Sequence, residues 1–176
     1  MSQALLKVEA PVRPTRSNLV GETVDLAWLQ GRAAAWDRLV ERALAPTPFY
    51  TRPVVRAHAA HGIATAGLRV LVVRHGEELA ALLPFRPAAA WLGFERPASV
   101  AWTSPYVTNS TPLVAADAVP DAVEALLDAM AAASPRRFWI FPLLPLDSLL
   151  AGALRAAMEK RGWPSHVLSE FRAPGA

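Results

Sequence analysis

Leu68-Arg69-Val70-Leu71-Val72-Val73-Arg74, then His75-Gly76-Glu77, then Glu78-Leu79-Ala80-Ala81-Leu82-Leu83-Pro84-Phe85, is the stretch that decides the fold. Two apolar runs, the first rich in β-branched residues, flank a short connection that contains a glycine. That pattern predicts an antiparallel hairpin over Leu68–Arg74 and Leu79–Phe85.

Upstream of the hairpin, Leu19-Val20, Val24 and Leu26 suit a short strand, and from about Gln30 the residues Trp36, Leu39, Val40, Ala43 and Leu44 take up helical spacing. Pro46-Thr47-Pro48 stops that helix. Pro53 suits the first turn of a second one, which runs through Val54, Val55, Ala57 and Ala60 to Gly62. Downstream, Trp91-Leu92, Ser99-Val100-Ala101-Trp102 and Leu113-Val114 read as further strands, punctuated by Gly93, Pro97 and Pro105. The segment Pro120–Ala133 places Val123, Leu126, Leu127 and Met130 on one helical face, with Asp121, Glu124 and Asp128 on the other. Phe138–Phe141 reads as a buried strand ended by Pro142. A last helix over Ser148–Arg161 opens at Asp147 as its cap, presents Leu150, Ala153, Leu154, Ala157 and Met158, and ends at Gly162. His166-Val167-Leu168 begins another strand. The order predicts an α/β (α+β) domain, a mixed sheet covered by helices, over residues 19–176. Residues 1–18, with Pro11, Arg13, Pro14 and Arg16, read as a flexible leader.

The chain has 176 residues, 53% hydrophobic and 19% charged, with 16 Pro and 9 Gly, which is too apolar for disorder and too irregular for collagen or a coiled coil. With no Cys, disulfide scaffolds, thiol nucleophiles, Cys-ligated zinc and iron–sulfur clusters are excluded. The net charge is +3 at pH 7 without any run of like charge, so no nucleic-acid partner is expected. The first residues lack a basic region followed by an apolar one, and the longest uncharged stretch, Pro97 to Ala116, is interrupted by Pro105 and Pro112. No signal peptide and no membrane span are expected, and the location read from this is cytoplasmic.

Motifs exclude more than they assign. His58 and His61 lie three apart on a helix but lack the further ligand and the HExxH context of a zinc site, so both read as polar helix histidines and no metal is expected. His75 and His166 read as solvated. Ser104 precedes Pro105 and has no flanking Gly, which argues against a nucleophile elbow, and Ser99 lies inside a strand. The glycines are scattered, without GxG or GK[ST], so a phosphate-cradling loop is not expected. Trp36, Trp102 and Trp139 read as core, and Trp91 and Trp163 as candidates for an exposed contact. The stretch Trp102-Thr103-Ser104-Pro105-Tyr106-Val107-Thr108-Asn109-Ser110-Thr111-Pro112-Leu113 is a hydroxyl-rich loop at a strand end, where binding groups tend to sit. Its candidate substrate-binding residues are Ser104, Tyr106, Thr108 and Asn109.

The succession of Trp36 and Leu39, Thr47-Pro48-Phe49-Tyr50-Thr51-Arg52-Pro53, the Leu68–Pro84 hairpin, Ser104-Pro105-Tyr106 and Pro112-Leu113 resembles the front half of the CelD/BcsL-type acetyltransferases linked to cellulose biosynthesis. Those are relatives of the FemAB group within the GNAT superfamily, and the resemblance spans about Val20 to Trp163. It implies a GNAT-like mixed, mostly antiparallel twisted sheet flanked by helices. It also implies transfer of an acetyl group from acetyl-CoA to an amine or sugar acceptor, in chains that carry two such units, the second of which uses the donor. GNAT donors bind where a strand leads into a Q/RxxGxG/A turn, and no segment here has that pattern. The chain therefore looks like the first unit, inactive in isolation and binding no acetyl-CoA alone. Its partner would be a second GNAT-like unit or another copy of itself. The alternative is a free-standing, non-catalytic interaction module.

Overall fold

A computed structural model of the chain describes residues 18–88, 97–134 and 138–170. The elements are β1 (Val20–Val24), α1 (Leu26–Gln30), α2 (Ala33–Arg42), α3 (Arg52–Ala60), β2 (Arg69–His75), β3 (Glu78–Ala88), β4 (Ala98–Ala101), β5 (Leu113–Val114), α4 (Val119–Ala133), β6 (Trp139–Ile140) and α5 (Leu149–Lys160). The predicted hairpin forms, with Leu71 opposite Leu83 and Val72 opposite Leu82, and Gly76 takes the left-handed φ of 56° that its turn requires. A bulge between Val73 and Arg74 adds local twist.

The six strands form one sheet in the order β1-β2-β3-β4-β6, with β5 also on β3. All neighbours are antiparallel except β4 and β6, which run parallel through Ser99–Trp139 and Val100–Ile140. Val70 to Val73 and Leu79 to Leu83 are buried residue after residue, so both faces of the hairpin are covered. Helix α4 crosses β1 so closely that a Cβ built on Gly21 would lie 2.8 Å from the Ala129 Cβ. Leu126, Leu127, Leu150 and Leu154 bring α4 and α5 into the main core. Ala98, Val100 and Ile140 form a separate small cluster at the β4–β6 edge. Among the described residues no helix is long and apolar enough to cross a membrane.

Several expectations are corrected. The helix expected from about Gln30 to Leu44 is broken at Gly31, and it ends at Arg42 because the Leu44 amide is drawn to the Val114 carbonyl at 2.8 Å. The strand at Phe138–Phe141 shrinks to its two central residues. Helix α5 is capped by Ser148, whose hydroxyl accepts from the Ala151 amide, and not by Asp147. No strand forms at His166-Val167-Leu168: the three residues are irregular, exposed and paired with nothing in the sheet. Trp163 is half-buried against the core under the Arg161 guanidinium. The leader up to residue 17, Trp91, Leu92 and Gly93 fall outside the described residues.

Candidate functional site

The site starts from a proline in the middle of β3. In an antiparallel ladder the N–H and C=O of one residue face the same neighbour. The Trp102 amide donates to the Pro84 carbonyl at 2.9 Å, so the nitrogen of Pro84 also faces β4, where it has no hydrogen to give back. The Trp102 carbonyl is thus left without its ladder donor, and the Tyr50 hydroxyl supplies one at 2.8 Å. Trp36 Nε1 donates to the Tyr50 carbonyl, and Trp102 Nε1 to the carbonyl of Ala64, a residue held at φ 53°. Burial pushes the Tyr50 hydroxyl well above the usual phenol range, so it remains a donor.

Past Trp102 the chain leaves the sheet, then returns. Ala101 is opposite Phe85, and Leu113 and Val114 are opposite Leu82 and Ala81. Strands β4 and β5 are therefore two parts of one line along β3, and residues 103–112 are an excursion from it. Ser104 folds the start of that excursion. Its hydroxyl oxygen accepts from the Tyr106 and Val107 amides, each at 3.1 Å. Its own hydrogen then points at His58 on α3, whose Nε2 lies 2.9 Å away. His58 Nδ1 lies 2.9 Å from the Val54 carbonyl, which accepts and never donates, so Nδ1 carries the proton and Nε2 presents a lone pair to Ser104. The imidazole is 6% exposed and stands edge-on to Trp102, with ring centroids 5.1 Å apart. Tyr106, 67% exposed, covers it from outside at 6.1 Å.

The other sequence candidates divide. Thr108 is exposed at the surface of the loop. Asn109 uses its side-chain oxygen to accept from the Thr111 amide at 2.7 Å, so it shapes the loop. Ser110 and Thr111 are buried with side-chain oxygens that have no hydrogen-bond partner, and the Ser110 amide donates to the Leu143 carbonyl at 3.5 Å. The structure thus gathers Ser104 and Tyr106 around His58, whose sequence context reads only as a polar helix histidine. His61, His75 and His166 are exposed, and no group of three or more possible metal ligands occurs among the described residues.

The turn from β5 into α4 is Ala115-Ala116-Asp117-Ala118-Val119-Pro120-Asp121. The Ala115, Ala116 and Ala118 amides donate to the Ala80, Arg42 and Ala115 carbonyls, and Pro120 has no amide hydrogen. Asp121 sits in the first turn of the helix, and Asp117 pairs with Arg42.

Neither a protein-family model nor a curated protein sequence matches the chain. Among solved structures it is similar to an aminoglycoside acetyltransferase from an uncultured soil metagenomic sample, determined in complex with sisomicin. The TM-score is 0.54 at 12% identity, over 89% of this chain and 97% of that one. At such identity the likeness speaks for the fold alone: a GNAT-like, mostly antiparallel sheet flanked by helices.

Proposed function

We propose that the chain is the acceptor-binding unit of an N-acyltransferase of the CelD/BcsL type, which takes an amine or sugar acceptor at the loop after β4 and leaves the acetyl-CoA donor to a second GNAT-like unit or a second copy. In this reading Tyr106 offers the acceptor an aromatic face, Ser104 sets the turn that presents it, Thr108 adds a rim contact, and Asn109 holds the loop in shape.

The observation that carries the reading is the β5–α4 turn on a sheet of acetyltransferase order. A coenzyme A pyrophosphate needs free backbone amides at a helix start, with positive potential behind them. Here three of the turn's amides are already bonded, Pro120 has none, and two carboxylates stand at the entrance. This supports leaving the donor to another unit. The acceptor loop from Trp102 to Pro112 carries no charge, which suits a sugar hydroxyl or a neutral amine better than a polycation such as the aminoglycoside of the structural neighbour.

Titration calorimetry with acetyl-CoA at physiological salt tests the donor half: no saturable heat is expected. Micromolar binding that survives added salt and is lost on a mutation in this chain would overturn the reading in favour of a self-sufficient enzyme. The non-catalytic alternative predicts no change in the Tyr106 and Thr108 resonances with amino sugars or neutral sugars, whereas acceptor binding predicts saturable shifts there.

A further inference from the structure

We propose that Ser104 is a nucleophile, activated by His58, that takes up the acyl group of small activated carboxylic esters. The proposal goes beyond the acceptor-binding reading and stands without it.

The argument rests on which hydrogen goes where. Ser104 shapes its turn with the acceptor side of its hydroxyl. Ser104 fills that side with the Tyr106 and Val107 amides, so its proton has a single direction left, toward the Nε2 lone pair of His58 at 2.9 Å. The base is oriented by a third group, the Val54 carbonyl, which fixes the tautomer from the Nδ1 side in the way a buried carboxylate does in a catalytic triad. Trp102 and Tyr106 hold the ring by its edges, and His58 is almost wholly shielded from water that would compete for its lone pair. Ser104 itself is half-buried, and its neighbours Pro105 and Tyr106 are exposed, so an ester can approach from the Tyr106 side. A nucleophile and base within hydrogen-bond reach, with the base oriented by a third group, is the geometry of covalent catalysis.

The step balances on these groups. With the hydrogen bond from the Tyr106 amide released, the freed lone pair of the Ser104 oxygen attacks the ester carbonyl and the hydroxyl proton passes to His58 Nε2. The bond from carbonyl carbon to the leaving oxygen breaks, and the leaving group takes the proton from His58. The acyl-Ser104 that remains is released when water or an amine attacks the same carbon, the proton again passing through His58 back to Ser104.

The test uses the full chain and p-nitrophenyl acetate, with release of p-nitrophenol followed in time and the adduct located by mass spectrometry. The expected result is an acetyl group on Ser104 that builds up at a saturable rate. Ser104→Ala removes that adduct, and His58→Gln slows its formation roughly 100-fold, a typical contribution of a positioned general base. Thermal melting of both variants, and Ser104→Cys, which keeps the base and supplies a stronger nucleophile, separate lost chemistry from lost folding: the Cys variant should acylate faster than the parent. Labelling at Tyr106, His58 or the lysines without Ser104, an unchanged rate in a folded His58→Gln variant, or no adduct in either the parent or Ser104→Cys would overturn the proposal.

Discussion

At the scale of single residues, one missing hydrogen organises the candidate site. Because Pro84 cannot donate to the Trp102 carbonyl, Tyr50 does so, and that bond ties the loop between α2 and α3 to the end of β4. Both partners are buried, so Tyr50→Phe leaves a carbonyl unsatisfied, with an expected cost of about 1–3 kcal/mol in chemical denaturation. A loss of under about 0.5 kcal/mol, the scale of an ordinary surface change, would mean that the contact is not formed in solution. The proline itself stands in the sequence for anyone to read; its consequence does not, because Tyr50 and Trp102 are separated by 52 positions. The same holds for His58. Its spacing from His61 directs attention to metal binding, whereas its partner is Ser104, 46 residues away in a loop whose path no local pattern fixes.

Among the elements, what was legible is what short-range periodicity controls. The β2–β3 hairpin, α3, α4 and α5 follow from apolar spacing, turn glycines and prolines, because each depends on contacts between near neighbours in the chain. Misreadings fall where tertiary contacts decide: at the end of α2, where β5 captures an amide, and in the tail at 166–168, where strand-forming residues have no sheet edge beside them. The helix faces themselves carry a measurable load. Leu126 on α4 and Leu150 on α5 are wholly buried in the main core, so Leu126→Ala and Leu150→Ala should each destabilise the chain by about 2–5 kcal/mol. A value below ~1 kcal/mol for either would show that its helix does not dock as described. The α5 cap gives a finer comparison. Ser148→Ala removes the oxygen that accepts from Ala151 and should cost about 1 kcal/mol, whereas Asp147→Ala should leave the melting curve almost unchanged. The reverse ranking would restore Asp147 as the cap.

On the scale of the whole molecule, stability is distributed unevenly, and the weaker part is the end that carries the candidate site. Strands β2 and β3 are paired on both sides and buried on both faces, so their amides should exchange only through global unfolding. Strand β6 is different: it is a two-residue strand paired with β4, with Ile140 in the small Ala98–Val100–Ile140 cluster and Trp139 packed on the main core, where its Nε1 donates to the Met130 carbonyl. Strand β4 loses its ladder at Trp102, where the chain turns out toward Ser104 and His58. The β4–β6 corner should therefore open at lower cost than β1 to β3 and α4, since the contacts broken are the small cluster, a few ladder bonds, and the Trp139 contacts with Phe85 and the Met130 carbonyl. Native-state hydrogen exchange followed by NMR checks this directly. Protection of the Ser99 amide, which donates to the Phe138 carbonyl at 2.9 Å, should fall at least roughly tenfold below that of Val72 and Leu82, a gap of about 1.4 kcal/mol in opening free energy. Equal protection at the two places would mean that the corner belongs to the same cooperative unit as the hairpin. In that case the buried, unpartnered Ser110 and Thr111 hydroxyls would lie in a rigid part of the fold and not beside a mobile edge.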